Sequence, residues 1–265
     1  MRKNLVTLLL VTVVGLALAA QALGANAQKR DGGDADFPER DEMKQTYELS
    51  PGARVEVRGI NGTVDIETAS GSTAEVNIVR LARTREDLNY RKIIVEHTAN
   101  SLVIRAEKEN ERGDHSVRQR VTLRLPRQID LNVSGVNGRT NVGEIDGPVR
   151  LSGINGAVEV EQAAGYSELS GINGRVRINI TRLSDRGIQV SGINGGVEIR
   201  FAEDLNADLD VSGINGSVNT DVPNVSVIGK FNRQNFRAKI GSGGTPITVR
   251  GVNGSVRLSR TGSAG

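Results

Sequence analysis

Residues 149–180 read VRLSGINGAVEVEQAAGYSELSGINGRVRINI. One pattern occurs twice in this stretch: an alternating segment, the phrase Ser-Gly-Ile-Asn-Gly, and a second alternating segment. Ser152 and Ser170 open the two phrases. Val149-Arg150-Leu151 and Ser167-Glu168-Leu169 stand before them, and Val158-Glu159-Val160 and Val176-Arg177-Ile178 after them. Apolar and polar residues alternating with period two are the mark of a strand with one buried face. Asn-Gly is a turn signal, because both residues tolerate positive φ. Further out, the phrase recurs at Ser191 and Ser212, as Ser-Gly-Val-Asn-Gly from Ser134, and with a leading Arg from Arg58 and Arg250. From Ser134 to Ser212 the steps are 18, 18, 21 and 21 residues. A period near twenty residues means one small unit stacked on itself.

A lone strand–turn–strand unit cannot bury its apolar face. Stacking one copy per coil gives each strand a neighbour at about 4.8 Å and builds a continuous core of Val, Ile and Leu. The expected fold is all-β: a single-stranded parallel β-solenoid, or β-roll, with repeats of about 18–21 residues. The outward residues agree. Aligned on the phrase, they form the columns Asn132, Arg150, Glu168, Gln189, Asp210; Asn141, Glu159, Arg177, Glu198, Asn219; and Glu161, Asn179, Arg200, Asp221. Adjacent members of a column never share a charge. In a parallel stack opposite charges side by side contribute roughly 0.2–1 kcal/mol, and like charges repel.

The phrase also generates a column of seven asparagines: Asn61, Asn137, Asn155, Asn173, Asn194, Asn215 and Asn253. Read as function, they are a row of ligand-binding amides. Read as structure, they are turn residues in left-handed geometry with stacked side-chain amides. The structural reading is preferred, since Asn-Gly already has a backbone reason to be there.

The ends carry different information. Met1-Arg2-Lys3, an apolar run from Leu5 to Ala20 and Ala25-Asn26-Ala27 make a secretory signal, expected over residues 1–27. No later segment is long and apolar enough to span a bilayer. Residues 28–46 are charged and poor in apolar side chains, which predicts a disordered linker. The repeat domain is expected over 47–265, with an irregular front part at 47–130 and regular coils at 131–265. Strands are expected in the front part at 74–83, 92–97, 101–107 and 118–125. A polar excursion is expected over 230–237, inside the long gap between Ser212 and Arg250.

Composition narrows the chemistry. The chain has no Cys, which excludes disulfides, thiolate metal sites and Cys nucleophiles. Its net charge is +3, and Arg2 and Lys3 leave with the signal, so basicity gives no argument for nucleic acid. Aromatic residues are 3% of the chain, too few to build a stacking platform for single strands. His97 and His115 are the only histidines, and neither has a partner at metal-ligand spacing. No nucleophile elbow, P-loop or dinucleotide fingerprint is present. No catalytic residue, metal or cofactor is expected.

The phrase S-G-[IV]-N-G-x-V carries a resemblance. So do Val55–Glu67 (VEVRGINGTVDIE), Val121–Gly138 (VTLRLPRQIDLNVSGVNG) and Gly241–Leu258 (GSGGTPITVRGVNGSVRL). The chain resembles bacterial exported β-strand-repeat proteins of a domain family of unknown function, labelled adhesin and likened to the heads of autotransporter adhesins. The resemblance covers nearly the whole mature chain and supplies no catalytic residues. It implies a non-enzymatic protein of the cell envelope or surface, periplasmic or outside, acting as an adhesin-like binding or scaffold module. The expected partners are cell-surface glycans or envelope proteins. Two alternatives stand beside it: a polysaccharide-acting β-helix enzyme, and a structural part of an envelope-stress sensing system.

Overall fold

The computed structural model describes residues 36–107, 116–163, 166–180, 183–201, 206–222, 225–228 and 235–260. The expected signal segment, the first part of the expected linker and His115 lie outside the described residues. The chain enters through β1 (Glu39–Glu48) and builds the first repeat from β2 (Ala53–Arg58) and β3 (Gly62–Ala69). It then leaves the repeat pattern through β4 (Thr73–Ala82), α1 (Arg85–Tyr90), β5 (Ile93–Thr98), β6 (Ser101–Ala106) and β7 (Val117–Pro126). Four regular repeats follow. They pair β8 (Ile129–Ser134) with β9 (Thr140–Ile145), and β10 (Val149–Ile154) with β11 (Val158–Ala163). The next two join β12 (Ser167–Ile172) to β13 (Val176–Ile180), and β14 (Ile188–Asn194) to β15 (Val197–Phe201). The last part is β16 (Ala207–Ile214), β17 (Val218–Thr220), β18 (Val225–Val227), β19 (Asn235–Ile240), β20 (Thr245–Asn253) and β21 (Val256–Arg260).

Every strand that precedes a phrase joins one sheet, here the leading sheet. Every strand that follows a phrase joins the other, the trailing sheet. The leading sheet runs β18-β19-β16-β20-β14-β12-β10-β8-β2-β6-β5. The trailing sheet runs β1-β4-β7-β3-β9-β11-β13-β15-β21-β17. Period-two alternation turns one side of each sheet inward. In the leading sheet Val57, Val133, Leu151, Leu169, Val190, Val249 and Val211 lie in register, and all are fully buried. In the trailing sheet Val142, Val160, Ile178, Ile199 and Leu258 do the same. Burying one such side chain contributes roughly 1.5–3 kcal/mol, so these columns are the main hold on the fold.

A single-stranded, wholly parallel solenoid is not what the structure shows. Both sheets are mixed. Pairing is parallel and in register through the middle, where Arg150 lies opposite Glu168 and Glu168 opposite Gln189. At the ends it is antiparallel: β1 on β4, β4 on β7, β5 on β6, β19 on β16 and β18 on β19. The physical reason is the edge. A stack of parallel strands ends in a row of unpaired backbone groups, and the antiparallel strands cover them.

The expected linker also begins to fold earlier than its sequence suggests. Residues 39–46 belong to β1, paired along its whole length with β4. Its side chains are mostly exposed; Met43 and Tyr47 pack against the core, and ladder hydrogen bonds to β4 supply the rest of its hold. Phe37, just before it, is buried between the guanidinium groups of Arg118 (4.3 Å) and Arg83 (5.9 Å). The described part of the expected excursion at 230–237 is the start of β19, where Phe236, Ala238 and Ile240 are buried.

Chain order and spatial order differ at the far end. The last repeat, β20 with β21, is inserted between the repeat of β14 and β15 and that of β16 and β17. Gln189 therefore neighbours Thr248 rather than Asp210, and Glu198 neighbours Arg257 rather than Asn219.

Candidate functional site

The seven phrases stack along one side of the molecule, where the leading strands pass to the trailing ones. Left-handed backbone falls on the first glycine of the phrase, as at Gly153 and Gly171 (both φ +59°). The second glycine serves a different need. A Cβ built on Gly174 would fall on the carbonyl oxygen of Gly156, and one on Gly156 on that of Gly138. Successive repeats approach so closely there that only hydrogen fits.

Between these glycines the asparagine side chains form an unbroken amide ladder. Nδ2 of Asn137 donates to Oδ1 of Asn61 at 3.0 Å. Asn155 donates to Asn137, Asn173 to Asn155 and Asn194 to Asn173, each at 3.0 Å. Asn253 then donates to Asn194 at 2.9 Å, and Asn215 to Asn253 at 3.1 Å. All seven asparagines read from the sequence are thus brought together, with Asn253 ahead of Asn215. Stacked amides of this kind add directional hydrogen bonds along a β-stack.

The first rung is capped by residues that sequence reasoning did not single out. Elsewhere the Asn N–H donates to a carbonyl of the preceding repeat: Asn137 to Ile60, Asn155 to Val136 and Asn173 to Ile154, all at 2.8 Å. Asn61 has no such repeat before it. Its N–H donates to Oε1 of Gln119 (2.8 Å), and its Nδ2 to the Val117 carbonyl (2.9 Å). Gln119 stands at an inward position of β7 and is 2% exposed. The signal was available: Gln119 is a polar residue where Val117, Val121 and Leu123 continue an apolar alternation.

The outer face of the trailing sheet carries the charges. Arg177 bridges neighbouring repeats, with Nη1 3.0 Å from Glu159 and Nε 3.1 Å from Glu198. Hydrogen bonds that the Arg177 guanidinium donates to Glu159 and then Glu198 raise it above its ordinary pKa. Partial burial works to raise the Glu198 carboxyl, but hydrogen bonds from Arg177 and Arg200 outweigh it and hold the group below its ordinary value. The other sheet repeats the device, with Arg150 on Asp130 at 2.6 Å.

On the same trailing face an open concavity of about 1020 Å³ crosses β7, β3, β9 and β11. Thr63, Asp65, Glu67, Arg120, Thr122, Arg139, Asn141, Glu159 and Glu161 line it around Gly143. Gly143 lies close against β3: a Cβ there would stand 3.0 Å from the Thr68 hydroxyl and 3.1 Å from the Ile66 carbonyl. Beyond that point β9 leaves β3, and the Thr68 hydroxyl donates to the Glu144 carbonyl (2.9 Å). Some of these groups are already engaged: Asp65 accepts from Asn141 (2.6 Å), and Glu159 from Arg177. The lining is polar, so the concavity suits a hydrophilic ligand rather than an apolar one.

His97 lies away from this region. It stacks on Tyr47, with centroids 4.7 Å apart, and its Nε2 is 2.9 Å from the Glu48 carbonyl. Among the described residues no three His, Cys, Asp or Glu side chains gather in a metal-binding group. No described helix is long and apolar enough to cross a membrane, which says nothing of membrane-crossing strands.

No protein-family model and no curated protein matches this chain. Solved structures do resemble it. One is a candidate cell adhesion protein from Clostridium sporogenes, at 9% identity over 83% of this chain and 100% of that one, with a TM-score of 0.42. Another is a candidate adhesin from Bacteroides fragilis, at 10% identity over 83% and 98%, with a TM-score of 0.34. A third is a candidate lipid-binding protein from Parabacteroides distasonis, at 10% identity over 83% and 97%, with a TM-score of 0.24. At these identities and scores the likenesses do not bear on what this chain binds.

Proposed function

We propose that this chain is an exported, non-enzymatic protein of the cell envelope or surface. In this reading it is an adhesin-like scaffold whose repeated polar face binds cell-surface glycans or envelope proteins. The observation that supports it is the mutual engagement of outward side chains from neighbouring repeats: Arg177 between Glu159 and Glu198, and the amide ladder from Asn61 to Asn215. A catalytic acid or base needs an environment that sets it apart from its neighbours. Charges tied to their equivalents one repeat away make instead a rigid, repetitive surface, suited to many weak contacts acting together. Export rests on the signal read at residues 1–27. The solenoid-like middle supplies the rigidity.

Cell fractionation followed by protease treatment of intact cells tests the location. A cytoplasmic protein would end the proposal. Binding is tested with immobilised surface glycans and with envelope extracts. Replacing outward residues of successive repeats should weaken capture gradually, whereas loss of all capture on changing one residue would argue against shared weak contacts.

A second reading, a polysaccharide-acting enzyme, has one observation in its favour: the concavity gathers Asp65, Glu67, Glu159 and Glu161 along one opening. Paired carboxylates are what glycoside hydrolysis requires. Depolymerisation of a polysaccharide by the purified protein, abolished by Glu161→Gln with the fold intact, would move the assignment there.

A further inference from the structure

Every rung of the amide ladder is an Asn-Gly step. Glycine leaves the following backbone nitrogen unhindered, and that nitrogen can attack the asparagine side-chain carbonyl. In the middle of the ladder the reaction is opposed. Each side-chain amide there donates to the rung before and accepts from the rung after, so turning Cγ towards its own backbone breaks both bonds. Backbone bonds add to this: the Gly62 N–H donates to the Asn137 carbonyl and the Gly195 N–H to the Asn253 carbonyl, each at 3.1 Å.

Asn215 is the outermost rung in space. Its Nδ2 donates to Asn253, but its Oδ1 accepts from no described residue. The glycine after it is also different. Gly62, Gly138, Gly156, Gly174, Gly195 and Gly254 are half-buried, whereas Gly216 is exposed. Among the described residues no further repeat lies over it.

We propose that Asn215-Gly216 is the deamidation site of the folded protein, and that conversion there opens the ladder from that end. The Gly216 nitrogen bonds to Cγ of Asn215, and the Cγ–Nδ2 bond breaks. Nδ2 leaves as ammonia, taking up the proton given by the glycine nitrogen. Water then opens the cyclic imide at either carbonyl, leaving aspartate or isoaspartate at position 215. The new carboxylate has no N–H to offer Oδ1 of Asn253, so two acceptors face each other and the last rung is lost. Asn253 becomes the next free end. The order of conversion then follows space, Asn215 before Asn253 before Asn194, and not chain position.

The test is to hold the folded protein in mildly alkaline buffer and follow amide-to-acid conversion at each Asn-Gly by peptide mass spectrometry, separating isoaspartate from aspartate. A second sample is held unfolded in denaturant. The expected result is conversion first at Asn215 in the folded sample and similar rates at all rungs in the unfolded one. Earlier conversion at another rung, or equal rates along the ladder in the folded sample, overturns the proposal. Asn215→Gln should delay conversion at Asn253 as well. Should that variant misfold, the folded and unfolded comparison on the unaltered protein still decides.

Discussion

Arg177 lies between two carboxylates from different repeats, and what it contributes depends on both. Arg177→Glu would place three acids in one column with Glu159 and Glu198. We expect it to destabilise by about 1 kcal/mol or more, with the loss shrinking in high salt, while Arg177→Gln costs less. Denaturant midpoints at low and high salt measure this, and equal midpoints for the two variants would show that the groups do not interact. Glu198 adds a pH dependence. Its folded-state pKa is lowered, so its contribution is complete above the ordinary carboxylate range and is lost as pH falls through the lowered value. In Glu198→Gln the fall in stability on acidification should be shallower than in the unaltered protein, as read by thermal unfolding across the acid range.

At the scale of the repeat, the two glycines of a phrase answer to different physics. Gly171 is left-handed at φ +59°, and a Cβ there would have 3.6 Å to its nearest neighbour. Gly171→Ala therefore meets strain but no collision, and should cost roughly 1–2 kcal/mol. Gly174→Ala drives a Cβ into the Gly156 carbonyl and forces two repeats apart. It should cost more than Gly171→Ala, in unfolding experiments on matched variants. Much of the repeat was legible from residues 149–180, because period-two alternation fixes which side chains turn inward and the recurring phrase aligns each of the middle repeats on the next. The column Glu159, Arg177, Glu198 was read correctly for that reason. β1 was not legible. Its sequence, ERDEMKQTYE, offers only Met43 and Tyr47 to the core, too few for a period-two signal, and the backbone hydrogen bonds that supply the rest of its hold leave no trace in side-chain pattern. The concavity was missed because β7, which supplies Arg120 and Thr122 to it, pairs with β3 from the irregular front part, where no repeat step tells which strands touch.

The whole molecule is a stack closed by strands of opposite direction at both ends of the leading sheet and at the β1 end of the trailing sheet, with its last repeat set inside rather than at the tip. The insertion escaped sequence reading because Gln189 is compatible with Thr248 and Asp210 alike. One signal did favour it: Arg257 is a better neighbour for Glu198 than Asn219 is. A consequence for stability can be measured. Deleting residues 245–265 removes the layer between β14 and β16 and lets β16 fall back onto β14, so hydrogen-exchange protection in residues 207–220 and along β14 and β15 should drop only in part. Unchanged protection in 207–220 would mean that this repeat does not depend on the inserted one.

The position of β20 also bears on how the molecule is finished. A chain emerging from its N-terminus presents β16 to the bare edge of β14 before β20 exists. The step from Ser191 to Ser212 is 21 residues, the same as the step from Ser170 to Ser191, so β16 can lie on β14 as a further regular layer. The finished arrangement has β20 in that place, so a β16–β14 pair formed first would have to separate to admit it. We therefore expect refolding from denaturant to show a slow phase that vanishes when residues 245–265 are deleted. For a protein released N-terminus first, the repeat that locks the stack arrives after the one it separates from β14.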